Sequence, residues 1–177
     1  MKSKDIALSA ISSAFVALFL TIGAYFEVAD VFMLAVSTVA LMLPLYRKSY
    51  VGSFLAYLVG GALAFLLSGM GIQKFIYMAY FAFAGAYPVV NALFKRFNVN
   101  KYVAHAIKCV WCIGAFYFVY WICVYVFGLN PGNIWEWVDR NIWYILGVVA
   151  VVFYLMFDFC VNRMQGFIDR YLSRIVK

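Results

Sequence analysis

Long apolar segments alternate with short polar connections along the whole chain. Each of these segments is near the twenty or so residues that a helix needs to cross about 30 Å of hydrocarbon. Six of them are predicted as membrane spans, at residues 6–26, 31–46, 51–67, 72–94, 102–127 and 142–161. The pattern therefore predicts an all-α protein, a bundle of six transmembrane helices within the lipid bilayer, and a single domain over residues 1–177.

The positive charges divide unevenly between the two predicted sides of the membrane. All fourteen Lys and Arg residues except Lys74 and Arg140 fall on the side of the two termini. Because cytoplasmic connections carry the excess of Lys and Arg, we expect both termini in the cytoplasm of a multi-pass protein of the cell membrane. The net charge of +7 is then mostly a signal of topology. It gives no support to nucleic-acid binding.

A basic amphipathic segment is predicted over residues 162–177. Phe167, Ile168 and Tyr171 recur at helical spacing against Arg170 and Arg174, as in segments that lie at an anionic membrane surface. The segment either continues the sixth helix or bends along the membrane. Two interpretations stay open, a helix end with no partner and a docking surface for a cytoplasmic protein.

The first span carries its smallest residues on one narrow face. Ala7, Ala10, Ala14 and Ala17 alternate steps of three and four, which places them in line on a helix. Small residues let two membrane helices approach closely, so this face is predicted to contact another helix, of this chain or of a separate protein. The third span has a similar row, for which internal packing is the favoured interpretation. That row is Gly52, Ala56, Gly60, Ala64 and Ser68.

The chain resembles the substrate-binding S components of energy-coupling factor (ECF) vitamin transporters. The resemblance consists of six spans in a short chain, cytoplasmic termini and the first-helix sequence Ala10-Ile-Ser-Ser-Ala14, flanked by Ala7 and Ala17. It implies that this alanine face docks onto a transmembrane coupling subunit attached to two ATP-binding subunits. It also implies capture of a vitamin or related small heterocyclic micronutrient from the outside, and no ATP hydrolysis by this chain.

Candidate substrate-binding residues lie in the outer halves of the last three spans and in the first external turn. Tyr and Trp offer flat apolar faces with one polar group, which suits a planar heterocycle, although aromatic belts at membrane interfaces give the same pattern. The resemblance points to the same three helices. The candidates are Glu27, Gln73, Tyr77, Tyr80, Tyr117, Trp121, Tyr125, Asn141 and Tyr144. Glu27 and Asp30 lie together in the first external turn, and three interpretations stay open: they accept a ligand amine, they pair with Lys74 or Arg140, or they are solvated charges of the turn.

Other polar positions indicate structural roles and no enzyme. His105 is the single histidine, so a metal site lacks ligands and a proton relay lacks partners. Asp158 is predicted to pair with Arg163 or Lys108 near the inner membrane surface. Pro88 is predicted to kink the fourth span, with neighbouring helices meeting the freed backbone groups.

Two other functions stay open beside substrate capture. No catalytic motif is present in the sequence, and we expect no cofactor and no metal site. A stand-alone secondary carrier or small channel would need buried ions or an inverted repeat. A membrane scaffold subunit would bind no small ligand.

Overall fold

The computed structural model describes residues 3–69, 75–127 and 136–175, apart from the side chains at 27, 75, 136–139, 169 and 172–175. The helices are α1 (Ser3–Tyr25), α2 (Asp30–Ala40), α3 (Met42–Tyr46), α4 (Tyr50–Leu67), α5 (Phe75–Ala79), α6 (Tyr87–Arg96), α7 (Lys101–Trp121) and α8 (Glu136–Ile175). A 3-10 turn covers Glu27–Ala29, and π-helical segments cover Tyr80–Ala84 and Ile122–Val126. No strand occurs among the described residues, so the predicted all-α class is confirmed.

The predicted spans correspond to apolar helical segments. Five of the described segments are long and apolar enough to cross a membrane, namely Ser3–Tyr25, Tyr50–Leu67, Ile76–Arg96, Lys101–Val126 and Arg140–Ile168. The second predicted span is the shorter apolar stretch Asp30–Tyr46. The chain is therefore a multi-pass membrane protein. In the described part of the basic C-terminal segment, α8 continues as one helix, which matches the first of the two predicted courses.

The described residues form two compact units. The first contains the chain up to Val99 and the part of α8 from Cys160, and the second contains Asn100–Phe159. In the first unit, α1 packs against α2 and α4 through a face that includes Ser12, Val16 and Leu20. The prediction of a single domain stays a prediction.

The second unit contains α7 and the part of α8 that ends at Phe159. Asn100 caps α7 because its side-chain oxygen accepts a hydrogen bond from the backbone N–H of Tyr102 at 3.1 Å. Cys112 is fully buried, and its Sγ lies 3.7 Å from the carbonyl oxygen of Ala150 on α8. Small buried residues thus bring these two helices together.

The row of small residues on α4 serves internal packing. All five members of the row are buried. A Cβ atom at Gly60 would lie 2.7 Å from the Cβ of Val16 and 3.0 Å from the backbone oxygen of Ser13. The backbone of α4 therefore approaches α1 too closely for a larger residue, and the internal-packing interpretation is confirmed for this row.

Pro44 interrupts the second span. Proline has no N–H to donate, and its ring clashes with the carbonyl four residues earlier, which here belongs to Ala40. The helix accordingly ends at Ala40 and starts again at Met42. The hydroxyl of Ser12 on α1 donates a buried hydrogen bond of 2.7 Å to the freed carbonyl of Ala40. The break in one helix is thus stabilised by a side chain of its neighbour.

Pro88 interrupts the fourth span in the same way. The carbonyl that it leaves without an N–H is that of Ala84, and a new helix begins at Tyr87. The buried hydroxyl of Thr38 on α2 lies 3.4 Å from this carbonyl and 2.9 Å from the carbonyl of Leu34 in its own helix. The helix is thus interrupted next to the predicted kink, and the prediction that a neighbouring helix lies at the freed group is confirmed.

The π-helical segment before Pro88 frees another carbonyl. The N–H of Gly85 donates to the oxygen of Tyr80 at 2.9 Å, five residues back, and not to that of Phe81. The hydroxyl of Tyr57 on α4 donates to the oxygen of Phe81 at 2.9 Å. Side chains of the neighbouring helices α1, α2 and α4 therefore contact backbone carbonyls at both interruptions.

We predict that Ser12→Ala lowers the free energy of unfolding by about 1–2 kcal/mol, because the buried carbonyl of Ala40 loses its donor. In a Pro44→Ala background, residue 44 regains an N–H that can donate to the Ala40 carbonyl. Ser12→Ala should then lower the free energy of unfolding by less than about half of its effect in the wild type. Reversible unfolding in mixed micelles measures both values.

Ser13→Ala is the matched control, because the Ser13 hydroxyl donates to the carbonyl of Ala10 within its own helix. It should cost less than about 0.5 kcal/mol. Equal costs of Ser12→Ala in the two backgrounds would contradict the account of the Pro44 break.

Candidate functional site

The two described tyrosines predicted as ligands in the fourth span are buried against α4. The hydroxyl of Tyr77 donates to the carbonyl of Ala64 at 3.1 Å, and that of Tyr80 donates to the carbonyl of Tyr57 at 3.1 Å. The ring of Tyr77 also makes an edge contact with Phe65. Both hydroxyls thus contribute to helix packing, and their role toward a ligand stays a prediction. Gln73 lies outside the described residues.

Several polar side chains lie at the end of the first unit where α1 ends and α2 begins. The hydroxyl of Tyr77 is close to the side chain of Ser68 and within electrostatic reach of Asp30 and Tyr25. Asp30 is the first residue of α2, where the helix dipole favours a negative charge. Tyr77 therefore lies within electrostatic range of one acid of the predicted external turn. The side chain of Glu27, the other acid, lies outside the described residues.

The candidate residues of the second unit differ in exposure. The hydroxyl of Tyr117 donates to the carbonyl of Trp143 at 2.8 Å, and their rings lie 5.6 Å apart. Trp121, Tyr125 and Tyr144 are 49%, 67% and 79% exposed. Exposed aromatic side chains near the end of α7 and the start of α8 are compatible with an interfacial belt as well as with a ligand surface.

The amide of Asn141 is partly exposed near the start of α8. Asn141 also interacts with another residue of the chain. Its role toward a ligand also stays a prediction.

A buried ion pair joins α7 to α8 in the second unit. The ammonium nitrogen of Lys108 lies 2.6 Å from Oδ1 of Asp158, and the two residues are 3% and 7% exposed. Nδ1 of His105 lies 2.7 Å from the hydroxyl of Tyr154 and 3.5 Å from Oδ2 of Asp158. The prediction that Asp158 pairs with Lys108 or Arg163 is confirmed for Lys108.

The prediction that His105 lacks partners for a proton relay is wrong, because Tyr154 and Asp158 of α8 lie beside it. His105 and Lys108 are one turn apart on α7, and Tyr154 and Asp158 are one turn apart on α8. This spacing is visible in the sequence as two polar pairs, each on one helix face. The sequence does not show the register of α7 against α8, which places these two faces opposite each other.

The ion pair lies about 10 Å along α7 from its first residue, Lys101, at 1.5 Å per residue. Charges at this depth in an apolar helix are costly to bury, so each partner stabilises the other. The cluster can hold or exchange a proton, since it contains a carboxylate, an ammonium and an imidazole. Among the described residues, no three His, Cys, Asp or Glu side chains come together as a metal site requires.

The alanine face of α1 divides along its length. Ala7, Ala10 and Ala14 are exposed, whereas Ala17 is 5% exposed and turns toward the core. The opposite face of α1 packs against α2 and α4. The exposed part of the face, Ala7, Ala10 and Ala14, is called the α1 alanine face below.

No protein-family model, no curated protein sequence and no solved structure matches the chain at a significant level.

We predict that Asp158→Leu and Lys108→Met each lower the free energy of unfolding by about 3–5 kcal/mol, since each leaves one buried charge without its partner. The double variant should recover most of this loss because both charges are gone. Unfolding of the three variants in mixed micelles gives the coupling energy.

Arg163→Gln is the control, since Arg163 is the other cation expected near Asp158 and is exposed. It should change the unfolding free energy by less than about 0.5 kcal/mol. Additive losses in the double variant would contradict a coupled pair.

Proposed function

We propose that this protein is the substrate-capture subunit of an ATP-driven importer of the ECF type. It lies in the cell membrane with both termini in the cytoplasm, and it binds a vitamin or related small heterocyclic micronutrient from the outside. Its partners are a transmembrane coupling subunit and two ATP-binding subunits. The all-α multi-pass fold and the basic connections on the side of the termini support this proposal.

The single observation that carries the proposal is the exposed α1 alanine face. Two rows of small residues occur in the first unit. The row on α4 packs closely against α1, because Gly60 leaves no room for a Cβ atom beside Val16. Ala7, Ala10 and Ala14 remain exposed on the other side of α1. Because small residues at a membrane helix surface permit close approach of a second helix, this face suits a coupling helix of another protein.

The transport cycle then needs three steps from this chain. The ligand binds first at the outer end, where Asp30 supplies a carboxylate. The α1 alanine face next docks on the coupling subunit. ATP hydrolysis by the partner subunits then drives reorientation in the membrane, so that the ligand leaves on the inside.

A second candidate function is a stand-alone, proton-coupled carrier. The observation that favours it is the cluster of Lys108, Asp158 and His105, because ionisable groups inside a membrane often belong to proton pathways. Such a carrier would transport its ligand without ATP and without a partner. Uptake into vesicles that contain the purified protein alone separates the two functions.

We predict that Ala10→Leu and Ala14→Leu reduce the amount of ATP-binding subunits that co-purify with the tagged protein by about tenfold or more. A leucine side chain holds the partner helix away and removes the close contact. The amounts are compared by quantitative mass spectrometry of complexes purified from the native membrane.

Ala62→Leu is the matched control, since Ala62 is an exposed alanine on α4. It should leave the co-purified amount unchanged, and all three variants should unfold as the wild type does. Undiminished recovery of the ATP-binding subunits with Ala10→Leu and Ala14→Leu would refute docking through this face.

A further inference from the structure

A basic groove of about 590 Å³ opens between the end of α3, the end of α6 and the last part of α8. Three cations line it, Lys48, Lys95 and Arg96. None of the described residues that line it is acidic. Three like charges around one open groove create a positive potential that attracts an anion.

Two of these cations are held in place by their neighbours. The guanidinium carbon of Arg96 lies 5.1 Å from the centre of the Tyr50 ring, in a cation–π contact. The ammonium of Lys95 donates to Oε1 of Gln165 at 3.0 Å. Binding an anion here therefore requires little further ordering of these side chains.

The third cation occupies a backbone position that favours glycine. Lys48 has a φ of 57° just after α3, and the N–H of Ser49 closes the turn on the oxygen of Pro44 at 3.1 Å. Glycine is the usual residue at this left-handed position after a helix, because it carries no Cβ. A lysine there costs conformational energy, and it places a positive charge at the groove.

The groove also has an apolar side. Leu45 and Ala92 line it and are each 7% exposed. It lies at the ends of two apolar helical segments, Asp30–Tyr46 and Ile76–Arg96, and so at the level where a membrane meets water. A phosphate group that enters beside an acyl chain matches both the cations and the apolar side.

We propose that this groove binds the phosphate group of an anionic phospholipid. The guanidinium of Arg96 and the ammonium groups of Lys48 and Lys95 hydrogen bond the phosphate oxygens, while the lipid chain follows the apolar side. The site does not depend on the proposed transport function, since it requires only that the helices cross a membrane.

The test is native mass spectrometry of the delipidated protein, titrated with phosphatidylglycerol or with phosphatidylcholine. The wild type should bind its first phosphatidylglycerol at a lower concentration than its first phosphatidylcholine. Arg96→Gln and Lys48→Gly should each weaken phosphatidylglycerol binding about fivefold, the effect of one charge near a lipid headgroup. Phosphatidylcholine binding should not change.

Lys48→Gly also separates binding from folding. Because glycine suits the left-handed backbone at this position, the variant should unfold at the same temperature as the wild type or higher, while it loses the lipid. Lys4→Gln and Arg163→Gln are the controls, since both residues are exposed cations outside the groove. They should weaken phosphatidylglycerol binding less than twofold.

Equal losses in the groove variants and the controls would overturn the site. Glycerol 3-phosphate serves as the soluble competitor. It should not displace phosphatidylglycerol at millimolar concentration if the lipid chain contributes. Displacement at micromolar concentration would overturn the lipid assignment and assign the groove to a soluble phosphate ester.

Discussion

The structure of the first unit depends on one constraint, that a backbone carbonyl inside a membrane must find a donor within the protein. Pro44 and Pro88 each remove the N–H that would have served the carbonyl four residues earlier. The hydroxyls of Ser12 and Thr38 lie at these two carbonyls, at 2.7 and 3.4 Å. Since each hydroxyl comes from a neighbouring helix, the two interruptions also connect α2 to α1 and the Pro88 segment to α2.

Much of the helical framework is predictable from the sequence, but its interruptions are only partly so. Apolar runs locate the five long apolar helices, because length and hydropathy decide which segments suit the bilayer, although the last helix continues well past its predicted end at residue 161. Pro88 lies inside a long apolar run, so the sequence predicts a kink there. Pro44 lies near the end of a short span, and its position does not predict that the span divides into two helices. Ser12 and Thr38 are ordinary small polar residues in the sequence, and only the helix packing places their hydroxyls beside the freed carbonyls.

The candidate site illustrates the same limit. Tyr77 and Tyr80 fit the spacing of an outer ligand face, yet their hydroxyls are engaged by carbonyls of α4. The pair of Lys108 and Asp158 could be anticipated, since charges in apolar helices need partners, but the contacts of His105 depend on the register between α7 and α8. Positive-φ backbone at Lys48 has no signal in the sequence, because glycine is the residue that usually marks such a position.

The central functional claim is that the α1 alanine face contacts a helix of another membrane protein. The most direct measurement places a photoreactive diazirine amino acid at position 10 and, as a control, at position 62, and identifies the cross-linked products from native membranes by mass spectrometry. The account predicts that position 10 cross-links to a membrane subunit that co-purifies with ATP-binding subunits, and that position 62 does not. Cross-linking of position 10 only to lipid or to helices of its own chain would contradict it.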